Sequence, residues 1–409
     1  HPILETLIAK TNYVRPIEVA KSVISLIKAE TSIKNLFKET KKIEKQDLNN
    51  HLLTLSKFPL LSVLMRVSPL PDLEFENLFR RLRQGILEAI FELDDNRALQ
   101  MFLYDLVLYN FTNEYVCFES DSETELLRTL EQKIRSSLEK GSQVDLQLVL
   151  CFGTYREINQ HDWCSKVNFP DDLYEIKKRC IDDKIRENDL ANSIPVLKNI
   201  CDNVSIQVKN QYEDNPYPRW EILKLNYNAK TFQEIAIEIE LEVSPIDAID
   251  NSEPTILIAG CGTGQHCIET ATRFKNCEVV AIDLSRSSLA YAKRKTNELG
   301  IKNISYIQAD ILDSRDLNLK FDIIECSGVL HHMENPLKGW RALADVLKPG
   351  GFLRVALYSK LARESINKPK INLYDLSKKQ IIDIRESIIS SWQGDSDPII
   401  NSVDFYSLK

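Results

Sequence analysis

The chain has 409 residues, 43% hydrophobic and 27% charged, which excludes a largely disordered polypeptide and suits two or three domains of roughly 100–200 residues. Its formal charge of −8 argues against a nonspecific nucleic-acid surface, although a local basic groove stays open. No stretch approaches the ~18 consecutive apolar residues of a membrane span, and His1-Pro2-Ile3-Leu4-Glu5 lacks the basic start and apolar core of a secretory signal.

The nine cysteines are irregularly spaced and form no C-x-x-C. They predict free, mostly buried thiols in a reducing cytoplasm, with no zinc site and no disulfide framework. The chain opens on His1 and stops at Lys409, so it reads as a piece of something longer.

In chain order, the first region is poor in glycine: only Gly85, Gly141 and Gly153 precede Gly260. Apolar residues recur there at helical spacing, which predicts an all-helical region over 1–203. One stripe runs through Val19, Val23 and Ile27. Pro71 is read as opening a helix with Phe75, Leu78, Phe79, Leu82, Ile86 and Ile90 on one face. Leu99–Phe111 is apolar nearly all round, as a central helix would be. Ser122 and Glu125 match a capping box ahead of Leu127, Leu130, Ile134 and Leu138. A last stripe takes in Ile176, Cys180 and Ile185, and no fixed-period repeat is visible within residues 1–200.

Residues 204–252 form a bridge containing Gln211-Tyr212-Glu213-Asp214-Asn215-Pro216-Tyr217-Pro218-Arg219-Trp220, where two prolines enforce extended or turn backbone. The run reads equally as a lid or as a rigid linker. As a lid, Tyr212, Tyr217 and Trp220 supply apolar area with polar tips, and Arg219 an anchor for an anionic acceptor.

From Thr255 the texture changes. Strands Thr255–Ala259, Glu278–Ile282, Ile304–Ile307, Phe321–Glu325 and Phe352–Tyr358 alternate with helices over Gln265–Lys275, Arg286–Leu299 and Pro336–Leu347. Ser285 sits at an N-cap position and Gly300 at a C′ position. The alternation predicts an α/β fold, a Rossmann-like doubly wound parallel sheet over 253–360. Residues 361–409 show a helical pattern at Ile381, Ile384, Ile388 and Trp392 and no clear strand pair. They read as a helical, truncated extension that leaves the far edge of the sheet open.

The first strand runs into Gly260-Cys261-Gly262-Thr263-Gly264-Gln265-His266, whose glycines allow tight turning and close backbone approach to a ligand. The third glycine falls one place short of the dinucleotide register G-x-G-x-x-G, which counts against a nucleotide-dependent oxidoreductase. Strand two ends at Asp283, placed for ribose hydroxyls, and strand three leads to Asp310, placed for an adenine amino group. Two carboxylates beside a loop without basic residues suit a nucleoside lacking phosphates.

Together these stretches resemble class I S-adenosylmethionine-dependent methyltransferases across residues 254–360, with Phe321–Met333 and Leu347-Lys348-Pro349-Gly350-Gly351 as further matching segments. The resemblance implies S-adenosylmethionine as cofactor. Gly260, Cys261, Gly262 and Gly264 would lie around the methionine moiety, Asp283 and Leu284 at the ribose, Asp310 and Ile311 at the adenine, and Cys326 and Ser327 near the sulfonium. Tyr109–Val116, the Gln211–Trp220 run and Asp404-Phe405-Tyr406 resemble bacterial methyltransferases fused to N-terminal tetratricopeptide repeats, although the repeats are absent here.

The loop Cys326-Ser327-Gly328-Val329-Leu330-His331-His332-Met333 lacks the Asn/Asp-Pro-Pro-Tyr pattern of amide and adenine methylation, which points to an oxygen, carbon or amine acceptor. His331 is the candidate general base, against a plain packing role. His266 reads as structure beside the cofactor. The expected function is methyl transfer to an acceptor that the sequence does not name, a small molecule or a protein. The alternative is a noncatalytic adenosylmethionine-binding module whose helical half engages a protein partner.

Overall fold

A computed structural model describes residues 2–10, 12–39, 43–94, 96–242, 253–359, 361, 376–391, 399–400 and 402–407. The chain divides into two compact units, each assembled from separate stretches. His1–Lys184, Trp220–Ile222 and Leu376–Lys409 make the first; Ile185–Arg219 and Leu223–Asp375 make the second. This division differs from the expected one: residues 185–203 go with the sheet, Trp220–Ile222 of the bridge and residues 376–409 go with the helices, and the rest of the bridge goes with the sheet.

The first unit is helical. It contains α1 (Pro2–Lys10), α2 (Pro16–Lys28), α3 (Thr31–Lys38), α4 (Lys45–Leu55), α5 (Pro59–Val67), α6 (Leu73–Ala89), α7 (Arg97–Thr112), α8 (Asp121–Glu139) and α9 (Leu146–Gly153). Residues 102–112 of α7 are all buried, because its apolar residues leave no polar stripe to face water. Two helix starts shift from the sequence reading. The side chain of Asp72 accepts from Phe75 N–H, so α6 begins at Leu73, two residues after Pro71, which precedes the cap. The capping box of α8 is Ser120 with Glu123, two residues before the expected pair, because S-x-x-E occurs twice in that run.

Further along, α10 (Tyr174–Lys177) passes through a π turn, Lys178–Asp182, into α11 (Asp183–Ser193). Ile176 and Cys180 are buried as expected, but Ile185 is 57% exposed. At about 100° per residue Ile185 stands roughly 140° round the helix from Cys180, so it faces away from the buried stripe.

The helix Lys378–Ser391 belongs to this unit, and its deepest side chain is Arg385 rather than an isoleucine. Arg385 Nη1 and Nη2 donate to Glu76 Oε1 and Oε2 at 2.6 and 2.5 Å, and Nε donates to the Phe405 carbonyl at 2.8 Å. Its guanidinium also stacks over the rings of Phe405 and Tyr406. Trp392 lies outside the described residues.

The second unit is built on a parallel sheet of β1 (Thr255–Ala259), β2 (Glu278–Asp283), β3 (Ile304–Gln308), β4 (Phe321–Ser327) and β5 (Leu347–Ala356), in the order β3-β2-β1-β4-β5. β5 starts earlier than predicted, because Leu347-Lys348-Pro349-Gly350-Gly351 joins it across a register shift between Phe321 and Ile323. Gln265–Arg273, Arg286–Glu298 and Pro336–Asp345 are the helices that follow β1, β2 and β4. This is a Rossmann-like methyltransferase fold preceded by helices. Order reverses beside β1, and in open α/β sheets ligands bind outside the carboxyl ends of the strands at such a switch point.

Residues 185–219 run along this sheet before β1 begins. Pro195 O accepts from Gln308 N–H at 2.8 Å and Leu197 N–H donates to Gln308 O at 2.9 Å, adding Val196 as a parallel bridge on the outer side of β3. Glu187 accepts from Arg294 at 2.9 Å, with both side chains buried. The path then continues through the helix Asn203–Asp214 to the strand ends.

Candidate functional site

The glycine loop turns sharply because three of its residues adopt positive φ: 75° at Gly260, 52° at Gly262 and 92° at Gly264. Gly264 is the N-cap of Gln265–Arg273, and a Cβ there would lie 2.6 Å from the Ala292 Cβ, so only glycine fits. Amides of Gly260 and Cys261 donate to Ile282 O at 2.8 and 3.0 Å, fastening the loop to the end of β2.

Asp283 lies at the same end. Its Oδ2 accepts from Gly262 N–H at 2.8 Å and its Oδ1 from Ser285 N–H at 3.0 Å. One carboxylate thus joins the glycine loop to the turn that begins the next helix. Leu284 is half-buried and its carbonyl accepts from Gln308 Nε2 at 2.7 Å. Asp310 is buried and accepts from Leu312 N–H at 2.9 Å, and Ile311 is buried beside it. Both acidic residues therefore cap local backbone as well as lining the rim, so the structural and ligand-binding readings are compatible.

On the β4 side, Cys326 is buried with Leu257, Ala259, Ile282, Ile324 and Leu330, and burial pushes its thiol up to about 12. Ser327 is exposed at the strand end. A short 3-10 turn, Leu330–His332, follows. The His331 ring stacks on Tyr358 with centroids 3.9 Å apart and packs 4.3 Å from His332. Both His331 ring nitrogens are buried.

The proline-rich run reaches the glycine loop. Thr263 Oγ1 donates to Pro218 O at 2.8 Å, and the Tyr217 carbonyl lies 3.5 Å from where a Gly262 Cβ would stand. Ser285 Oγ donates to Tyr212 O at 3.0 Å, and Glu213 Oε2 accepts from Ser287 N–H at 3.3 Å. Residues 212–218 thus form a strap across the ends of β1 and β2. Tyr217 is half-buried, the Tyr217–Pro218 peptide is cis, and Arg219 is buried at 6% exposure. Sequence reasoning raised this path as one of two; the tertiary contacts bring it to the loop.

The sequence reading passed over Glu325. This buried β4 carboxylate lies 2.9 Å from His266 Nε2, and accepts from Thr270 Oγ1 at 2.7 Å and Arg354 Nη1 at 3.2 Å. Burial raises its pKa, but the hydrogen bond and charge attraction of His266, then Thr270 and Arg354, outweigh burial and hold it down to about 2. A lone acid inside Ile323-Ile324-Glu325-Cys326 was the available signal. All nine cysteines are free, six of them buried. No described helix is long and apolar enough to cross a membrane.

Residues 250–399 match the family described as a methyltransferase domain. An uncharacterized protein of Synechococcus sp. is 36% identical over 136 residues, covering 33% of this chain and 33% of that protein. A ubiquinone biosynthesis O-methyltransferase of Serratia proteamaculans is 29% identical over 100 residues, covering 24% of this chain and 40% of that enzyme. The solved structure of PKMT2 from Rickettsia typhi in complex with AdoHcy aligns at a TM-score of 0.28 and 22% identity, over 37% of this chain and 31% of that one. The chain therefore spans well under half the length of each of these proteins.

Proposed function

We propose that the second unit is an S-adenosylmethionine-dependent methyltransferase in which residues 212–218 cover the donor. The observation that carries this reading is the junction of glycine loop and Asp283, with Gly262 N–H on Oδ2, at the point where strand order reverses. The methyltransferase-domain match over residues 250–399 supports it.

The residues present fit the donor's chemistry. Asp283 is a carboxylate oriented by two amides at the end of β2, the acceptor type that ribose hydroxyls call for, and Asp310 is a buried carboxylate of the type that an adenine amino group calls for. Gly262 leaves a side-chain-free approach bounded by the Tyr217 carbonyl. The bound group would supply an electrophilic methyl on a sulfonium. The protein's task is alignment and exclusion of water, and alignment alone is worth ~7–11 kcal/mol in a well-oriented displacement. The strap serves both ends.

For the acceptor, an oxygen, carbon or amine nucleophile is the reading kept. Its wall would be Ser327 and the ring stack of His331, His332 and Tyr358. Of the two roles open to His331, the stack and the burial of its nitrogens favour packing over general base catalysis. Arg219 is buried, which favours a packing role over an exposed anchor for an anionic acceptor.

Calorimetry with adenosylmethionine, adenosylhomocysteine, NAD and ATP tests the donor assignment, with binding expected for the first two alone. Transfer of tritiated methyl from labelled donor to a cell extract then tests catalysis. Tight donor binding without transfer would favour a noncatalytic module, and binding of NAD alone would end the proposal.

A further inference from the structure

Glu325 is 5% exposed on β4, in parallel register with Ile258 of β1 and Arg354 of β5. A carboxylate moved from water into such a sheet is costly unless donors meet its oxygens. They do: Oε2 is shared by His266 and Thr270, and Oε1 is taken by Arg354. With both oxygens engaged by protein donors, Glu325 acts as a tie. What it ties is specific. His266 and Thr270 stand one turn apart on Gln265–Arg273, the helix capped by Gly264, while two residues beyond Glu325 the strand delivers Ser327 to the rim.

A loop with three residues at positive φ is rich in glycine and does not stiffen itself. Asp283 holds it from the β2 side. Along the rim the order β3, β2, β1, β4 sets Asp310 first and Asp283 second, so a nucleoside read by these two extends its 5′ substituent toward β1 and β4. Glu325 anchors the loop on that side.

We propose that Glu325 is a positioning residue for the methyl donor: by gripping His266 and Thr270 it sets the spacing between the glycine loop and the end of β4, where the donor's amino-acid arm would lie. This rests on the donor assignment above. It predicts dependence on which part of the ligand is present. Adenosylhomocysteine carries the arm; 5′-methylthioadenosine lacks it.

Calorimetry on the full chain compares both nucleosides on wild type, Glu325→Gln, His266→Gln, the double variant and Thr270→Val. Glu325→Gln and His266→Gln should each weaken adenosylhomocysteine about tenfold, the scale of one charge-assisted hydrogen bond, while methylthioadenosine changes less than about threefold. The double variant should bind like the single ones, because both remove one tie. Thr270→Val removes one donor, keeps the carboxylate and serves if Glu325→Gln does not fold. Equal loss of both ligands would show a merely structural role and overturn the proposal. Unchanged adenosylhomocysteine affinity in the folded variants would overturn it as well. A wild-type chain that binds neither nucleoside would instead overturn the donor assignment, so the two failures are distinguishable.

Discussion

Thr263 Oγ1 donates to the carbonyl of Pro218 at 2.8 Å, joining the middle of the glycine loop to chain 45 residues earlier. The bond turns a stretch that precedes the sheet into part of the rim. Thr263→Val keeps the side chain's shape and removes the donor. A single neutral hydrogen bond is worth about 1 kcal/mol net, so adenosylhomocysteine affinity should fall about fivefold, mainly through faster release. Stopped-flow dissociation is the measurement; an unaltered release rate would show that the strap does not retain ligand.

Asp283→Ala should weaken adenosylhomocysteine binding by roughly 10–100-fold, since it removes a charge-assisted acceptor together with the anchor for Gly262 N–H. The circular dichroism spectrum should stay that of the wild type. Wild-type affinity in calorimetry would reduce Asp283 to a turn residue.

His331→Phe should keep at least about half of wild-type methyl transfer and His331→Ala should lose most of it, because phenylalanine preserves the stack on Tyr358 and alanine does not. The assay needs an acceptor from the labelled-extract experiment. Loss in both variants alike, with the fold intact, would restore the general-base role.

Glu325 sets an acid limit. Its carboxyl is held near 2 in the folded chain, below its ordinary 4.5, so its stabilising contribution is complete above pH 4.5 and is lost as pH falls toward 2. A shift of that size corresponds to about 3 kcal/mol. Urea unfolding between pH 6 and pH 3 should show stability falling with acid in the wild type and falling less in Glu325→Gln. Parallel curves would place the acid sensitivity elsewhere.

In the helical unit, Arg385→Met leaves Glu76 buried without its bidentate partner and should cost about 3–5 kcal/mol. The double variant Glu76→Leu/Arg385→Met should recover most of that loss, because no charge stays buried. Thermal unfolding of the three proteins decides it. A double variant no more stable than the single would mean that packing against Phe405 and Tyr406 dominates.

The sequence determined the features whose causes are local. The strand, glycine loop and helix over 255–273 follow from a short continuous apolar run and from glycines that readily tolerate positive φ, and Ser285 caps its helix as its position predicts. Asp283 and Asp310 were legible because the first ends β2 and the second follows β3 by two residues. Where a local signal occurred twice, as in the two S-x-x-E patterns near Ser120, spacing alone could not choose. Ile185 is exposed because five residues after Cys180 an α-helix has turned roughly 140° away from the buried face. Only the tertiary structure decided that Pro218 meets Thr263, that Glu325 meets His266, and that Arg385 reaches Glu76 across 309 positions. Those contacts depend on how separate elements pack. A buried charge is stable only beside its partner, and the partner's place along the chain carries no periodicity from which to read it.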